Sequence, residues 1–287
     1  MNRSKKSAPL ISLLTDFGLQ DEYVGVMKGV IAGICPEARV VDVSHQIDPQ
    51  DVVQGAFILD AASRYFPVGT IHVAVVDPGV GGDRRIIAAN CDGHLFVAPD
   101  NGILELVVRD RNVAELVHAS NASNFLNKVS CTFHGRDIFA PVAAHLANGV
   151  SMASLGPAVE LSSLVSGVVP RCMFLSETCI EGTIVAVDRF GNLLTNISSS
   201  AIERLIGPAK ETRLLAKINE VPIDGWGNAY NQVTAGSSLA IIGSRGLLEI
   251  SVTCGNAQRV LKAGKGDRVV VCLVKDRVVG KDESRCL

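Results

Sequence analysis

Aromatic residues and runs of charge are scarce in this sequence. Only 5% of its 287 residues are Phe, Trp or Tyr, 20% are charged, and the formal net charge is −2. Tight binding to nucleic acid needs a basic stripe, and Lys and Arg form no sustained run here. No segment approaches the ~20 apolar residues of a membrane span, and Asp16 interrupts the first apolar run too early for a secretory signal. The sequence therefore predicts neither a nucleic-acid partner nor a membrane partner.

Paired cysteine motifs are absent as well. The eight cysteines form no CxxC pair, and most of them lie inside apolar runs, where a thiol behaves as a small hydrophobe. This distribution argues against a structural zinc site and against a disulfide framework, and it predicts a cytoplasmic protein. His134, Asp137 and His145 have no recognised metal-binding spacing, so no metal site is predicted.

A large apolar fraction is what the sequence does contain. Apolar residues make up 47% of the chain, and they are mainly Val, Ile, Leu and Ala, which suits a sheet covered by helices on both faces. A chain of 287 residues is long for one core and comfortable for two domains.

Strand and helix patterns alternate through the first half of the chain. They predict strands at residues 10–15, 38–44, 69–77, 86–90, 94–99 and 114–118, and helices at residues 22–34, 48–66 and 136–149. Asp48 is expected to cap the second helix. Strand–helix–strand order is typical of a parallel, helix-covered sheet, so we predict an N-terminal α/β domain over residues 8–160.

The pattern changes in the second half. Residues 161–176 lack clear periodicity and are predicted to be a linker. Short strands separated by turns then follow, with one serine-capped helix at residues 198–205. We predict a C-terminal β-barrel-like domain over residues 177–280. The fold class is therefore α/β, with a parallel-sheet N-terminal domain and a β-barrel-like C-terminal domain.

Two aspartates follow predicted strands of the N-terminal domain. Asp16 lies in TDFG and Asp77 in VVDPGVGGDRR, and a glycine turn follows each. Ligands bind beyond the carboxyl ends of parallel strands, so both are candidate binding residues, with Asp42 a weaker candidate. The turn after Asp77 lacks the P-loop and dinucleotide patterns. It is flexible enough, however, to return Arg84 to Asp77 as an ion pair.

Three further motifs carry polar residues suited to catalysis or ligand binding. They are FHGRDIFAP with His134, DRFGNLLTNI with Asp188, Phe190 and Asn192, and GSRGLLEI with Ser244 and Arg245. Phe190 and Asn192 are suited to stacking on and hydrogen bonding to a purine, although turn formation alone also explains Asp and Asn here. Arg245 is suited to binding a ligand carboxylate, although a solvated hairpin arginine is equally compatible with the sequence. TDFG and HGRD stand in the wrong order and spacing for a kinase.

Taken in this order, the five motifs resemble those of the S-adenosyl-L-methionine (SAM) hydroxide adenosyltransferase family, the SAM hydrolases related to fluorinases and chlorinases. The likeness runs from about residue 10 to about residue 275. It implies an α/β N-terminal domain, a β-barrel-like C-terminal domain and a homotrimer. Each active site would lie between the N-terminal domain of one subunit and the C-terminal domain of its neighbour. It also implies that SAM is the substrate and that no cofactor is needed.

The resemblance also implies roles for individual residues. An Asp–Arg–His triad that holds the attacking water or hydroxide corresponds to Asp77, Arg84 and His134. The implied substrate contacts are Asp16 for the ribose, Phe190, Asn192 and Tyr230 for the adenine, Ser244 and Arg245 for the methionine carboxylate, and Asp188 with Glu249 for the methionine amine.

Differences from the halogenases bear on the reaction. Fluorinases resemble this chain but have Tyr and Thr in the halide pocket where it has Asp77 and Val80, and a fluoride-binding Ser where it has Gly135. A negative Asp77 would repel a halide and suits water, so hydrolysis is predicted over halogenation. Halide-dependent transfer and non-catalytic binding of SAM or adenosine remain the alternatives.

Overall fold

The computed structural model describes residues 8–207 and 212–275. The chain divides into two compact units between Val169 and Pro170, inside the segment predicted as a linker. Residues 276–280 of the predicted C-terminal domain lie outside the described residues, as does Cys286. None of the helices in the described ranges is long and apolar enough to cross a membrane.

The N-terminal unit is built on one six-stranded sheet. Its strands are β1 (Leu10–Thr15), β2 (Arg39–Ser44), β3 (Ile71–Val75), β4 (Ile86–Cys91), β5 (His94–Pro99) and β6 (Val113–His118). They stand in the order β2-β1-β3-β5-β4-β6. The β2, β1, β3 and β5 pairings are parallel, as predicted, whereas β4 runs antiparallel to both of its neighbours. β4 runs antiparallel because Asp92 and Gly93, both with positive φ, close a two-residue hairpin between β4 and β5.

Helices cover both faces of this sheet. They are α1 (Tyr23–Ile34), α2 (Val52–Ser63), α3 (Glu105–Arg109) and α4 (Ala140–Ala147). Successive strand residues point to opposite faces, so Ile11 and Leu13 of β1 join the core under α1 and α4, while Leu14 joins the core under α2 and α3. In α1, the helically spaced Met27 and Ile31 pack on the first of these cores. The sheet is therefore buried on both sides, as the apolar composition predicted.

Two helix starts differ from the sequence prediction. The second helix begins at Val52 rather than near Asp48, and its cap is Asp51, whose carboxylate accepts a hydrogen bond from the Gln54 N–H at 2.9 Å. Gln50 just before the cap has φ +67, which no helical residue can have. The helix predicted over residues 136–149 opens with a wide π-helical segment at Gly135–Phe139 before α4 begins. Pro141 lies in the first turn of α4 and has no N–H to donate to the π-helical turn before it.

The C-terminal unit is almost entirely β structure. Its strands are β7 (Met173–Ser176), β8 (Cys179–Val187), β9 (Leu193–Ser198), β10 (Thr212–Ile218), β11 (Val221–Pro222), β12 (Gly225–Gly227), β13 (Ser238–Ile242), β14 (Leu247–Val252) and β15 (Arg268–Lys275), and its helices are α5 (Ser199–Ile206) and α6 (Ala257–Leu261). The predicted serine cap on α5 is confirmed: Ser198 accepts from the Ala201 N–H. β7 occupies part of the predicted linker and pairs with β8.

The long strand β8 gives this unit its curvature. Its first half pairs with β15 and its second half with β9, so eight of the nine strands follow one curled path, and β7 pairs with β8 beside that path. The unit is a curled half-barrel, which agrees with the predicted barrel-like domain. Buried aliphatic residues such as Ile184 and Ile250 fill its interior.

A disulfide joins Cys179 of β8 to Cys272 of β15. The two residues are directly opposite in the antiparallel register. The expectation of unpaired cysteines is wrong for this pair, because the partners lie 93 residues apart and only the strand register brings them together. Disulfides are rare in reducing compartments, so the bridge removes the cysteine-based argument for a cytoplasmic location.

A histidine cluster is buried inside the N-terminal sheet. His72 is 1% exposed, and its Nδ1 lies 2.7 Å from the Ser12 hydroxyl and its Nε2 3.2 Å from Nδ1 of His94. The ring also stacks on Phe96. Burial, followed by the charges of His94 and Arg111, lowers the pKa of His72 to about 3. The folded protein therefore holds His72 neutral.

This burial predicts acid-dependent destabilisation. An unfolded histidine has a pKa of about 6.5, so above that pH neither state binds the proton and His72 carries no penalty. As the pH falls from 6.5 towards 3, only the unfolded state binds it, and stability is progressively lost. The free energy of unfolding, measured by urea denaturation, should therefore fall less between pH 6.5 and pH 4 in His72→Gln than in the wild type. His145→Gln is the control for loss of one histidine and should fall as much as the wild type. Equal pH slopes in the wild type and His72→Gln would contradict this account.

Candidate active site

A cavity of about 360 Å³ opens in the N-terminal unit where β1 and β3 end. Its lining comes from the loops after these strands and from the start of the π-helical segment. The lining residues are Asp16, Phe17, Tyr23, Gln50, Val75, Asp77, Pro78, Val80, Thr132, Phe133, His134 and Gly135. Asp16, Asp77 and His134 are among the candidate residues predicted from the sequence, and the structure brings these three together.

A glycine-rich turn returns the chain to Asp77. Two successive backbone hydrogen bonds, Val80 N–H to Asp77 and Gly82 N–H to Gly79, fold residues 77–82 tightly. Gly81 has φ +79, and a Cβ there would overlap the backbone carbonyl oxygen of Cys131. Glycine is required because the turn packs against the segment that leads to His134. The turn thereby sets Arg84 between Asp77 and His134.

Arg84 bridges the other two members of the group. Its Nε lies 2.9 Å from each oxygen of Asp77, and its Nη2 lies 2.7 Å from Nδ1 of His134. The side chains of Arg84 and Asp77 are 9% and 4% exposed, and the guanidinium also lies over the Phe139 ring. A planar guanidinium has fixed donor directions, so this contact fixes the orientation of both partners.

Hydrogen bonding determines which His134 nitrogen carries a proton. An arginine N–H can only donate, so Nδ1 of His134 accepts, and the proton of the neutral ring sits on Nε2. Burial, followed by the charge of Arg84, lowers the pKa of His134 below its usual value. At neutral pH, the His134 ring therefore carries its proton on Nε2 and has no free lone pair with which to act as a base.

A buried carboxylate supports the segment before His134. Asp137 is completely buried and accepts hydrogen bonds from the Ser130 N–H at 2.8 Å and from Arg136. Burial alone would raise the pKa of Asp137, but the hydrogen bonds from Arg136 and Ser130 outweigh it and lower the pKa.

Within residues 8–207 and 212–275, no group of three or more His, Cys, Asp and Glu side chains is placed to hold a metal ion.

Aromatic rings crowd the cavity around Gly135. Phe17, Tyr23 and Phe133 pack edge to face, with ring centroids 5.0–5.9 Å apart. A Cβ on Gly135 would stand 3.0 Å from Phe133, 3.1 Å from Phe17 and 3.2 Å from the sulfur of Met27. A serine at this position would need its neighbours to move. This aromatic wall was not predicted from the sequence. The only sequence signal for it was the grouping of several aromatic residues in a chain that has few of them.

Asp16 is held at the cavity by the backbone. Its Oδ2 accepts a hydrogen bond from the Gln50 N–H at 2.8 Å. The neighbouring Thr15 hydroxyl contacts Nδ1 of the buried His45 at 2.9 Å. Asp42 is not a cavity residue: it lies within β2 and pairs with Lys28 at 2.6 Å.

A second cavity, of about 550 Å³, lies in the C-terminal unit. It is lined by Asp188, Phe190, Asn192, Leu194, Tyr230, Ser244, Arg245, Glu249, Val252, Thr253, Cys254 and Gly255. All seven candidates that the sequence analysis placed in this half of the chain are among them. Each unit thus carries one part of the predicted set.

The turn between β8 and β9 is organised by Asp188. Its Oδ1 accepts from the N–H groups of Phe190 and Asn192 at 2.8 and 2.9 Å, and its Oδ2 accepts from the Asn192 side-chain amide at 2.9 Å. Gly191 supplies the positive φ that the turn needs. This arrangement leaves the Phe190 ring 75% exposed at the cavity and the Asn192 side chain fixed beside it.

Two polar groups occupy another part of the same cavity. Ser244 and Arg245 lie in the turn between β13 and β14, closed by the Gly246 N–H bonding to Gly243. Tyr230 donates its hydroxyl proton to Glu249 at 2.7 Å. Burial and then Glu249 raise the pKa of Tyr230 to about 12, so the phenol stays protonated and remains a donor.

Comparisons with known proteins cover nearly the whole chain. The model of the SAM hydroxide adenosyltransferase N-terminal domain matches residues 11–156, and that of the C-terminal domain matches residues 182–270. A relative from Salinispora tropica, named (R)-S-adenosyl-L-methionine hydrolase, is 40% identical over 92% of this chain and 97% of its own. A fluorinase from Actinoplanes sp. is 29% identical over 72% of this chain and 78% of its own. The crystal structure of an uncharacterized conserved protein from Thermotoga maritima has a TM-score of 0.83 at 36% identity, covering 91% of this chain and 99% of that one.

The contact between Arg84 and His134 is directly testable. Because the charge of Arg84 contributes to the low pKa of His134, Arg84→Gln should raise that pKa towards the usual value. NMR titration of the His134 ring measures the change. Arg85→Gln, which removes the neighbouring arginine paired with Asp100, is the matched control and should leave the titration unchanged. A His134 pKa that falls or stays constant in Arg84→Gln would contradict the assigned contact.

Proposed function

The chain belongs to the SAM hydroxide adenosyltransferase family, and from this premise we propose that it hydrolyses SAM to adenosine and L-methionine. Water attacks C5′ of the ribose in line with the departing sulfur. The observation that carries the proposal is the buried group of Asp77, Arg84 and His134 at the wall of a cavity. We propose that these three residues hold the attacking water.

The substrate is proposed more narrowly from the names of relatives. Curated relatives at 34–40% identity carry the name (R)-S-adenosyl-L-methionine hydrolase. The sulfonium sulfur of SAM is a stereocentre, because it bears three different carbon groups and a lone pair. We therefore propose the (R) epimer at sulfur as the preferred substrate of this enzyme.

The chemistry asks little of the protein beyond positioning. A C–O bond forms between water and C5′ while the C5′–S bond breaks, and the bonding pair leaves on sulfur to give the neutral thioether of methionine. The water loses one proton to a base. Since the sulfonium is already a good leaving group, we propose no metal, cofactor or covalent intermediate. Holding water in line with C5′ is worth roughly 7–11 kcal/mol of the barrier.

The proposed roles of the triad follow from its hydrogen bonds. His134 cannot accept the water proton, because its Nδ1 lone pair is taken by Arg84. It instead donates from Nε2 to the water oxygen and, with Arg84, stabilises developing hydroxide. Within the triad, Asp77 is the group that keeps free lone pairs, so it orients the water and accepts the proton.

Substrate contacts are proposed from both cavities. Asp16, whose carboxylate is held in place by the Gln50 N–H, binds the ribose hydroxyls. The exposed ring of Phe190 stacks on adenine with Tyr230, and Asn192 hydrogen-bonds the base. Ser244 and Arg245 hold the methionine carboxylate, because arginine binds a carboxylate through two parallel hydrogen bonds.

Neither cavity contains the complete set of proposed residues. The N-terminal unit holds the water group and Asp16, and the C-terminal unit holds the adenine and methionine contacts. We therefore propose a homotrimer in which the N-terminal unit of one subunit and the C-terminal unit of its neighbour form each active site, as the sequence resemblance implies.

A product assay distinguishes hydrolysis from its alternatives. The enzyme is incubated with each SAM epimer, with and without chloride or fluoride, and the nucleoside is identified by mass. We expect adenosine, formed faster from the (R) epimer and independently of halide, because the Asp77 carboxylate would repel a halide and Gly135 carries no hydroxyl to bind one. A 5′-halogenated nucleoside would establish the halogenating alternative instead. Binding of SAM without any nucleoside product would establish a non-catalytic binder.

Two substitutions should affect different quantities, one the rate of the reaction and the other the affinity for SAM. Asp77→Asn removes the proposed base, so adenosine formation should fall by at least about 100-fold while SAM affinity stays within a few-fold of the wild type. Arg245→Gln removes a proposed carboxylate contact, so SAM affinity should weaken by about 10-fold or more. Calorimetry and single-turnover rates measure both. Turnover retained in Asp77→Asn, or unchanged affinity in Arg245→Gln, would overturn the respective assignment.

A further inference from the structure

The loop that carries Asp16 is held from both sides by His45. The backbone carbonyl of His45 accepts a hydrogen bond from the Gly18 N–H at 2.7 Å, and Nδ1 of its ring lies 2.9 Å from the Thr15 hydroxyl. These contacts reach the residue directly before Asp16 and the residue two positions after it. Thr15 and His45 are both buried, so water does not compete for either bond. His45 thereby fixes both ends of the short segment that brings Asp16 to the cavity.

The Thr15 hydroxyl also shapes the chain around Asp16. It accepts a hydrogen bond from the Phe17 N–H at 3.2 Å, which is the local turn that a threonine hydroxyl can form with the backbone two residues on. Gln50, from the same loop as His45, donates its N–H to Oδ2 of Asp16 at 2.8 Å. The carboxylate of Asp16 and the backbone on both sides of it are therefore held by the loop that follows β2.

Asp42 determines the direction of these hydrogen bonds. Its Oδ2 lies 2.6 Å from Nζ of Lys28, and its Oδ1 lies 3.0 Å from Nε2 of His45, close but off the axis of an ideal hydrogen bond. Burial alone would raise the pKa of Asp42, but the contacts with Lys28 and His45 outweigh it and lower the pKa, so Asp42 is ionised. A carboxylate can only accept, so the neutral His45 ring carries its proton on Nε2 and accepts from the Thr15 hydroxyl at Nδ1. The oxygen of that hydroxyl is then free to accept from Phe17.

Asp42, His45 and Thr15 also have the acid–histidine–hydroxyl order of a catalytic triad with a nucleophilic hydroxyl. Thr15 does not suit that role. It is fully buried, and the residues that line the cavity include its neighbours Asp16 and Phe17 but not Thr15 itself. Its oxygen is engaged by the Phe17 N–H. The arrangement therefore suits positioning of the loop and not attack on a substrate.

We infer that His45 and Thr15 are positioning residues that hold the Asp16 carboxylate in the orientation that binds the ribose hydroxyls of SAM. Asp42 acts behind them by keeping the ring proton of His45 on Nε2. Hydrogen bonds weaken steeply with distance and angle, so a small rotation of the Asp16 carboxylate would cost affinity for the ribose. The inference rests on the proposed function, because it concerns how the substrate of that reaction is bound.

The test compares SAM with its 2′,3′-dideoxy analogue, which lacks the ribose hydroxyls. Binding is measured by calorimetry for Thr15→Val, Asp16→Ala and the two together, each in an Asp77→Asn background where turnover is slowed. Valine keeps the shape of threonine and removes the hydroxyl, and Thr15→Ser restores it. Thr70→Val is the matched control, because Thr70 is also buried, donates to the Pro67 carbonyl at 2.7 Å and lies at the opposite end of β3 from the cavity.

We expect the parent protein to bind SAM about 10- to 100-fold more tightly than the analogue, because hydrogen bonds to a charged group are strong. Thr15→Val should reduce this preference to a few-fold by weakening SAM binding, whereas Thr15→Ser and Thr70→Val should retain it. Once Asp16→Ala has removed the preference, Thr15→Val should weaken SAM binding no further, since the two residues act through one contact.

Asp42→Asn tests the same chain of contacts without disturbing the core, since its side chain is 38% exposed. Asparagine removes the charge that keeps the ring proton of His45 on Nε2. The preference for SAM should therefore fall in this variant too, by less than in Thr15→Val. Asp110→Asn is its control, because Asp110 is about as exposed and pairs with Arg109, and it should behave as the parent.

Two results with these variants would overturn the inference. Equal weakening of SAM and analogue by Thr15→Val and Asp42→Asn would indicate a merely structural role, and a preference that neither variant changes would exclude any effect on the ribose contact. A preference that survives Asp16→Ala would overturn the ribose contact and the inference with it, while the hydrolysis would stand. Failure of the proposed function looks different. A Thr15-dependent preference for SAM in an enzyme that releases no adenosine with Asp77 restored would leave the inference intact and overturn the hydrolysis.

Discussion

The fixed donor geometry of one arginine organises the N-terminal site. Arg84 Nε donates to both oxygens of Asp77, and Nη2 donates to His134. Because the guanidinium is planar and rigid, it cannot turn without losing these hydrogen bonds together. The glycine-rich turn at residues 78–82 brings the guanidinium back to Asp77, and Gly81 allows that turn to contact the backbone of Cys131. The contact also decides the chemistry, because it leaves His134 as a donor and Asp77 as the remaining acceptor.

The two units contribute different physical properties to the proposed reaction. The N-terminal unit supplies a buried, rigid group of charges at the end of a sheet packed on both faces, which suits the positioning of a small nucleophile. The C-terminal unit supplies turns with an exposed ring, an amide and an arginine, which suit recognition of a base and an amino acid. In the C-terminal unit, Asp188 and Arg245 lie in short turns whose glycines have positive φ, as does the turn that leads from Asp77 to Arg84 in the N-terminal unit. The strands provide the fixed ends from which those turns depart.

Much of the fold could be predicted from local sequence patterns. Where the prediction failed, the cause was either a local backbone conformation or a contact between residues far apart in the sequence. The bounds of β1 and β5 agree with the sequence prediction because alternation and composition mark them clearly. The antiparallel β4 was missed although Asp92-Gly93 is a hairpin signal, and the start of α2 was misplaced because Gln50 adopts a positive φ that no sequence pattern announces. The disulfide could not be foreseen, since only the pairing of β8 with β15 brings Cys179 to Cys272.

The candidate site divides in the same way. Motifs sufficed to name Asp77, Arg84 and His134, but not the tautomer of His134, which depends on a contact across 50 residues. The aromatic wall around Gly135 likewise arises only in three dimensions. Sequence identifies residue types that can do the chemistry, whereas packing decides which atoms remain available for it.

The most direct test of the central claim follows the oxygen atom. Turnover of SAM in water enriched in ¹⁸O, with mass spectrometry of the products, reports where the solvent oxygen goes. Attack of the held water on C5′ predicts one ¹⁸O at the 5′-hydroxyl of adenosine and none in methionine. Adenosine that forms without the label, or a label found in methionine, would contradict the account.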